Sequence, residues 1–166
     1  MKFSGHQARP FNTPLECGLR LLYALDQAGG QSFDLQRLVS YDYLLVHSGD
    51  VEGGPASLHP ALPFRGSELL VKRELVRAGL NAMFAKELLE KRLEPTGICF
   101  RATALTGAFL KLLISSYASA LRTRAEWVVT RFSDYSDAEL ESYMTANVGR
   151  WGAEFDRLTI IKELEL

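Results

Sequence analysis

Three residues between positions 47 and 59 are of the types that bind metal ions. His47, Asp50 and His59 offer the imidazole and carboxylate ligands that zinc and other divalent cations accept. Their spacing matches no helical or loop metal motif, and neither cysteine of the chain lies nearby. We therefore predict that no metal is bound and that the imidazoles fix a loop by hydrogen bonds.

Asp42 interrupts an apolar helical stripe, since it lies seven residues after Leu35 and three before Leu45. A buried carboxylate must meet a cation, accept backbone N–H bonds or become protonated, because burying an unpaired charge is costly. The arginines that could meet it are Arg20, Arg65 and Arg73. We favour a structural role, in which Asp42 ties its helix to the following loop, over binding of a partner.

Nucleophilic and nucleotide chemistry have little support in the sequence. Cys17 and Cys99 are not beside a histidine in the chain, and Gly53-Gly54-Pro55 lacks the Lys-Ser/Thr of a phosphate-binding loop. The strand-turn-helix elbow that activates a serine is missing around Ser48, Ser57 and Ser67. The sequence therefore predicts no catalytic residue and no cofactor.

A group of basic residues between positions 64 and 101 could contact DNA phosphates. This stretch holds eight Lys/Arg against five Glu. Because the glutamates are interleaved at helical spacings, a solvated face is the favoured interpretation, and DNA contact would be weak and sensitive to salt. The candidate DNA contacts are Lys72, Arg73, Arg77, Lys86, Lys91, Arg92 and Arg101.

The C-terminal third of the chain is rich in large aromatic side chains, which fit an ordinary core and interface anchors equally well. The run Gly149-Arg150-Trp151-Gly152 follows a predicted helix end, so we expect Trp151 to lie at the surface. Arg150 and Trp151 therefore become candidate partner-binding residues. The other candidates for partner binding are Asp42, His47, Asp50, His59 and Arg65.

Local signals predict three helices in the first half of the chain. Thr13 and Glu16 form a capping box at the first, Asp34 caps the second and Ser67 caps the third. Gly79 interrupts the third apolar-periodic segment, which runs to about residue 89. One kinked helix and a helix-turn-helix pair both remain open there.

A β-hairpin is predicted next, because apolar residues alternate around the turn Glu94-Pro95-Thr96-Gly97. Thr103 then caps a helix that can break at Ser115-Ser116, and Ser136 opens a last helix closed by Gly149. This order of elements predicts a mainly α fold. We expect a winged helix-turn-helix core, with the β-hairpin as its wing and C-terminal helices added to it.

We divide the chain into a flexible N-terminus (1–10), a winged-helix domain (11–103), a helical extension packed on it (104–155) and an acidic C-terminal tail (156–166). The formal net charge of −1 gives no general attraction to nucleic acid. No run of about 18 apolar residues occurs, which argues against a membrane span. Two cysteines without ligand spacing fit a reducing cytoplasm.

Several stretches of the chain carry a family resemblance. They are 11–16, 33–38, Asp42-Tyr43-Leu44-Leu45-Val46-His47-Ser48-Gly49-Asp50, Gly53-Gly54-Pro55, 57–60, 68–71, 97–102 and 149–152. Together they resemble the middle components of the ABC-three-component systems, which bacterial defence operons such as the Lamassu type encode beside an SMC- or Rad50-like ATPase and an effector. The resemblance covers about residues 11 to 155, and the run from 42 to 50 with its following loop is the most specific part.

This resemblance implies a function without catalysis. The chain would be a connector that holds an SMC-like ABC ATPase and an effector, often a nuclease, in one complex that responds to foreign DNA. No catalytic residue is carried over from the family. The alternative function is a winged-helix transcriptional regulator, which would form a homodimer on a palindromic site.

Overall fold

The computed structural model describes residues 13–60 and 65–164, and it describes side chains over 13–60 and 72–151. Within these ranges the chain is mainly helical, as predicted, with one small antiparallel sheet. The helices are α1 (Pro14–Gln27), α2 (Leu35–Val46), α3 (Arg65–Ala85), α4 (Ala104–Leu110), α5 (Ser116–Arg131) and α6 (Asp137–Leu164). The strands are β1 (Phe33–Asp34), β2 (Leu89–Glu94) and β3 (Gly97–Ala102). The N-terminal segment 1–10 lies outside the described residues.

Helix starts follow the local capping signals. Thr13 and Glu16 form the predicted capping box at α1, and the Asp34 side chain accepts the backbone N–H of Arg37 at α2. Ser136 and Glu139 exchange the same reciprocal bonds at α6. The predicted cap at Ser67 is wrong, because α3 already begins at Arg65.

The predicted hairpin is confirmed, and β1 extends it to a sheet with the order β1-β3-β2. Leu89, Lys91 and Leu93 of β2 lie opposite Ala102, Phe100 and Ile98 of β3. Because directly opposed residues share a face, the apolar face of the hairpin runs from its buried base to its tip. Strand β1 was not predicted, since it has only two residues and overlaps the cap of α2.

Gly79 lies inside one continuous helix and marks a contact between helices. A Cβ atom at Gly79 would lie 2.3 Å from the carbonyl oxygen of Pro14, and one at Gly18 would lie 2.6 Å from that of Gly79. These distances are far below van der Waals contact, so α1 and α3 approach backbone to backbone. The question left open by the sequence is therefore decided in favour of a single helix.

The C-terminal helices follow the prediction in part. The break at Ser115 is confirmed, since its side chain caps α5, but α4 already ends at Leu110. The predicted helix end at Gly149 is wrong, because α6 continues to Leu164 and includes most of the predicted tail. A glycine costs a helix only about 1 kcal/mol, which the buried face of α6 outweighs. That face carries Leu140, Met144, Val148 and Trp151.

One hydrophobic core joins the N-terminal and C-terminal helices. Its buried residues come from all six helices, with Leu110 contributed by α4, and the hairpin contributes Leu89 and Phe100. None of the helices in the described part of the chain is long and apolar enough to cross a membrane.

Candidate functional site

Three buried charged side chains meet where α1, α2 and α3 pack together. Arg20 donates from Nε to Oδ1 of Asp42 at 2.8 Å and from Nη2 to Oδ2 at 3.0 Å. The ammonium of Lys72 lies 3.3 Å from Oδ2 of Asp42. All three are fully or almost fully buried. We call these residues the ion cluster; it links the first three helices through one carboxylate.

Electrostatics keep the ion cluster charged. Burial alone would raise the pKa of Asp42, but the charges of Lys72 and Arg20 and their hydrogen bonds lower it below its usual range. Burial opposes the charge of Arg20, yet Asp42 raises the pKa of its guanidinium above the ordinary value. Asp42 is therefore an ionised carboxylate at neutral pH.

The ion cluster confirms one prediction and corrects another. Arg20 is one of the arginines predicted to meet Asp42. Asp42 is completely buried and ties α2 to α1 and α3, not to the following loop. The ammonium of Lys72 lies in the core beside Asp42, and its DNA contact stays a prediction.

Cys17 lies next to the ion cluster, where Nη2 of Arg20 donates to its sulfur at 3.3 Å. Burial, with a smaller effect of the Asp42 carboxylate, raises the pKa of the Cys17 thiol to about 12. Since only the thiolate attacks electrophiles, this thiol is not a nucleophile at neutral pH.

The loop after α2 is fastened to its own helix and to α5. The hydroxyl of Tyr43 donates to Asp50 Oδ2 at 2.7 Å. His59 Nε2 and the Tyr117 hydroxyl share a hydrogen bond of 2.9 Å. Arg124 donates to the carbonyl of Ala56 from Nε and Nη2 at 3.2 and 2.8 Å. The prediction that an imidazole fixes the loop is confirmed for His59.

His47 lies at the end of α2 and is buried. Its ring packs against Tyr43 with centroids 4.7 Å apart and meets His59 edge-on at 6.4 Å. The partner contact predicted for His47 stays a prediction. Over the ranges described, no group of three or more His, Cys, Asp or Glu side chains comes together in a way that could hold a metal ion.

The environment of His59 predicts a pH-dependent stability. Burial and the nearby charges of Arg20 and Lys72 lower the pKa of His59 from 6.5 to about 4. Between these values the unfolded chain binds a proton that the folded chain excludes, so the free energy of unfolding falls as the pH decreases. We expect the urea midpoint to fall from pH 6.5 to 4.5, and to fall less in His59→Gln, which retains a side-chain hydrogen-bonding group facing Tyr117. The same pH slope in both proteins would contradict this account.

Trp151 is buried, with 1% of its surface exposed. Its indole stacks on the ring of Tyr43, with centroids 5.6 Å apart and planes 9° apart. The predicted surface position is wrong because α6 continues through the glycines and turns Trp151 onto α2. Arg150 lies on the exposed side of α6, and its partner contact stays a prediction. The side chain of Arg65 lies outside the described residues.

Arg37 is a buried residue that the sequence did not single out. From α2 it donates to Asp137 Oδ1 at 2.6 Å, to the Tyr41 hydroxyl at 2.8 Å and to the carbonyl of Tyr135. These bonds hold the corner between α5 and α6 on α2. Its partners lie up to 100 residues away, so no local pattern could have revealed them.

Most of the predicted DNA-contact residues interact within the chain. Arg77 pairs with Glu74, and both Arg92 and Arg101 pair with Glu90. Arg73 donates to Gln36, and the Lys91 ammonium lies over the ring of Phe84. Lys86 is exposed. Since these cations have their own carboxylate, amide or aromatic partners, the arrangement favours the solvated face over a phosphate-binding one.

Two exposed apolar surfaces are the site features that the sequence missed. The hairpin surface is formed by Leu93 and Ile98, with 87% and 56% of their surface exposed. The α4–α5 surface is formed by Leu105, Leu112, Ile114 and Tyr117, of which Leu112 is 75% and Ile114 91% exposed. The signal available in the sequence was the apolar run 112–114 directly before the cap at Ser115.

Residues 10–154 match the family model described as ABC-three component (ABC-3C) system Middle Component 2. The chain belongs to this family. The matched residues include the ion cluster, the fastened loop, the hairpin and the first part of α6 as far as residue 154. The family model therefore covers nearly the whole folded unit. Neither the comparison with curated proteins nor the one with solved structures gave a match.

The stretch that best marked the resemblance has a structural explanation in this Middle Component 2 chain. The run from Asp42 to Asp50 supplies the carboxylate of the ion cluster, the packed rings of Tyr43 and His47, and the acceptor for the Tyr43 hydroxyl. The glycines that follow allow a close turn, since a Cβ at Gly54 would lie 2.2 Å from the Ser48 carbonyl oxygen.

Proposed function

We propose that this Middle Component 2 chain is a non-catalytic bridging subunit of a cytoplasmic complex that defends bacteria against phages or plasmids. It would hold an SMC- or Rad50-like ABC ATPase and an effector, often a nuclease, as in Lamassu-type systems. Family membership supports the presence of other components. The observation that carries the bridging role is the pair of exposed apolar surfaces on one folded unit.

The hairpin surface lies at the hairpin turn, whereas the α4–α5 surface belongs to the segment that follows the other end of β3. Leu93 and Ile98 are next to the turn, whereas α4 begins after the last residue of β3. A six-residue strand is about 17 Å long, so the turn is far from the point where α4 starts. Large exposed apolar side chains that cluster in this way are typical of protein-binding surfaces. The separation of the hairpin surface from the α4–α5 surface supports binding of two different partners.

A winged-helix core also forms part of this proposal. The chain order α1, β1, α2, α3, β2, β3 and the sheet order β1-β3-β2 support it. The hairpin would then be the wing. Because the exposed cations of α3 and the hairpin mostly have partners within the chain, DNA contact would be weak and sensitive to salt.

Single substitutions on each surface test the bridging role. We expect Leu93→Asp to weaken binding of one partner and Ile114→Asp to weaken binding of the other, each by about tenfold or more. In each variant a charge would replace an apolar side chain that the partner covers in the complex. The measurement is the composition of the complex that co-purifies with each variant when all components of the system are co-expressed.

Both variants have matched controls. Both substituted side chains are exposed, so the melting temperature should stay within about 1–2 °C of the wild type. Thr123→Asp places the same charge on an exposed position of α5 and should lose neither partner. Loss of the same partner in both surface variants, or of neither, would contradict bridging.

A further inference from the structure

We propose that the α4–α5 surface binds an acidic amphipathic helix of another component of the system. This inference rests on the proposed bridging function and adds the chemistry of one of the two partners. It is supported by the concentration of apolar side chains, by a cleft beside them and by the charge of the surrounding chain.

Exposed apolar side chains are concentrated in this stretch of the chain. Among the described side chains, eight large apolar ones are exposed, and four of these fall between residues 105 and 117. One of the four, Ile114, lines a cleft of about 740 Å³ together with Leu110 and Leu113. A cleft of this size is large enough for several apolar side chains of a partner.

The charge of this region is one-sided. Residues 95–125 contain no Asp or Glu, and their four charged residues are all Lys or Arg. Two of these, Lys111 and Arg122, line the cleft. Arg122 is held in place, because its guanidinium lies over the ring of Tyr23 and donates to the Leu110 carbonyl at 3.4 Å. Asp26 is the one carboxylate among the described residues that line this cleft. Charge complementarity therefore favours an occupant with acidic residues beside its apolar ones.

The backbone of the surface favours a helical occupant. It is made of α4, α5 and the turn between them, so it offers no strand edge with which an extended peptide could pair. A partner must bind through side chains, and a helix with apolar residues at spacings of three and four presents them in one row. Glutamates and aspartates flanking that row would face Lys111 and Arg122.

A crosslinking experiment identifies the occupant. A photoreactive amino acid at position 112 is introduced into the full-length chain, the complete complex is assembled, and the crosslinked peptides are sequenced by mass spectrometry. We expect a crosslink to a segment of another component with an apolar i, i+3, i+4 pattern and a net negative charge. A crosslink to a second copy, to another part of this chain or to a neutral or basic segment would overturn the proposal, as would no crosslink in an intact complex.

Charge reversal gives an independent measurement. The variant Lys111→Glu with Arg122→Glu should weaken binding of that component by about tenfold at low salt and by less at high salt. Lys86→Glu with Arg77→Glu changes the net charge equally at exposed positions of the chain and should change affinity less than twofold. Equal effects of the two variants would overturn the acidic occupant.

A membrane is the competing occupant of an apolar, basic surface. The probe is sedimentation of the wild-type chain with vesicles that contain about one-third anionic lipid. We expect the chain to stay in the supernatant, and co-sedimentation that Ile114→Asp abolishes would overturn the proposal. If the wild-type complex does not assemble at all, the bridging function itself fails; an intact complex with a different contact at position 112 refutes only the inference about its occupant.

Discussion

Replacing Asp42 with alanine should lower the free energy of unfolding by about 3–5 kcal/mol, the cost of breaking a buried ion pair. The change removes the carboxylate that Arg20 and Lys72 contact, while both basic side chains stay buried. For a chain of this length the melting temperature should fall by about 10 °C or more. Thermal and urea unfolding followed by circular dichroism measure both quantities.

Lys72→Met is the matched control for Asp42→Ala. It removes one cation, keeps a side chain of similar length and leaves the two hydrogen bonds between Arg20 and Asp42 in place. We expect Lys72→Met to lower the free energy of unfolding by less than about 1.5 kcal/mol or to raise it slightly. The reason is that the remaining pair of Arg20 and Asp42 is electrically balanced. If both substitutions lower the free energy of unfolding by the same amount, the Asp42 carboxylate does not balance the charge of the ion cluster.

Gly79→Ala should destabilise the chain by about 2–3 kcal/mol, although alanine is the better helix former by about 1 kcal/mol. The added Cβ would lie 2.3 Å from the Pro14 carbonyl oxygen and 2.7 Å from the backbone nitrogen of Gly18. Since both are backbone atoms, no side chain can rotate away, and α1 and α3 must separate. Urea unfolding gives the sign and the size of the effect.

For Gly149→Ala we expect the opposite change in the free energy of unfolding. Gly149 also lies inside a helix, but a Cβ there would meet no atom of the described residues within 4 Å. Alanine should therefore stabilise the chain by up to about 1 kcal/mol through helix propensity. A stabilising Gly79→Ala would mean that α1 and α3 do not approach as closely as described.

Local chemistry made part of this fold predictable. A capping box or an Asx cap acts within four residues, so Thr13, Asp34 and Ser136 could mark their helices without tertiary information. The alternation around the hairpin turn is equally local. Arg20 could be named as a partner of Asp42 because burial forces a carboxylate to find a cation.

The remaining features depend on packing between distant parts of the chain. The sequence predicts Lys72 on a solvent-facing side of α3, because no local sequence pattern shows which side of this helix faces α2. Gly79 resembled a break because a close helix contact and a helix interruption both use glycine. Trp151 is buried only because α6 continues past Gly149 and packs on Tyr43. Such outcomes follow from tertiary contacts, which override a weak local preference.

The candidate site was also only partly visible in the sequence. The run 42–50 identified the family, but its residues build the ion cluster and the fastened loop inside the chain. The surfaces that could meet partners, such as Leu112 and Ile114, consist of ordinary apolar residues. Their exposure becomes known only when the helices around them are in place.

Native mass spectrometry of the complex assembled from all components of the system tests the bridging role most directly. The account predicts one particle that contains this chain, the ABC ATPase and the effector, and it predicts that the ATPase and the effector separate when this chain is omitted. An ATPase and effector that remain bound to each other without this chain would contradict it.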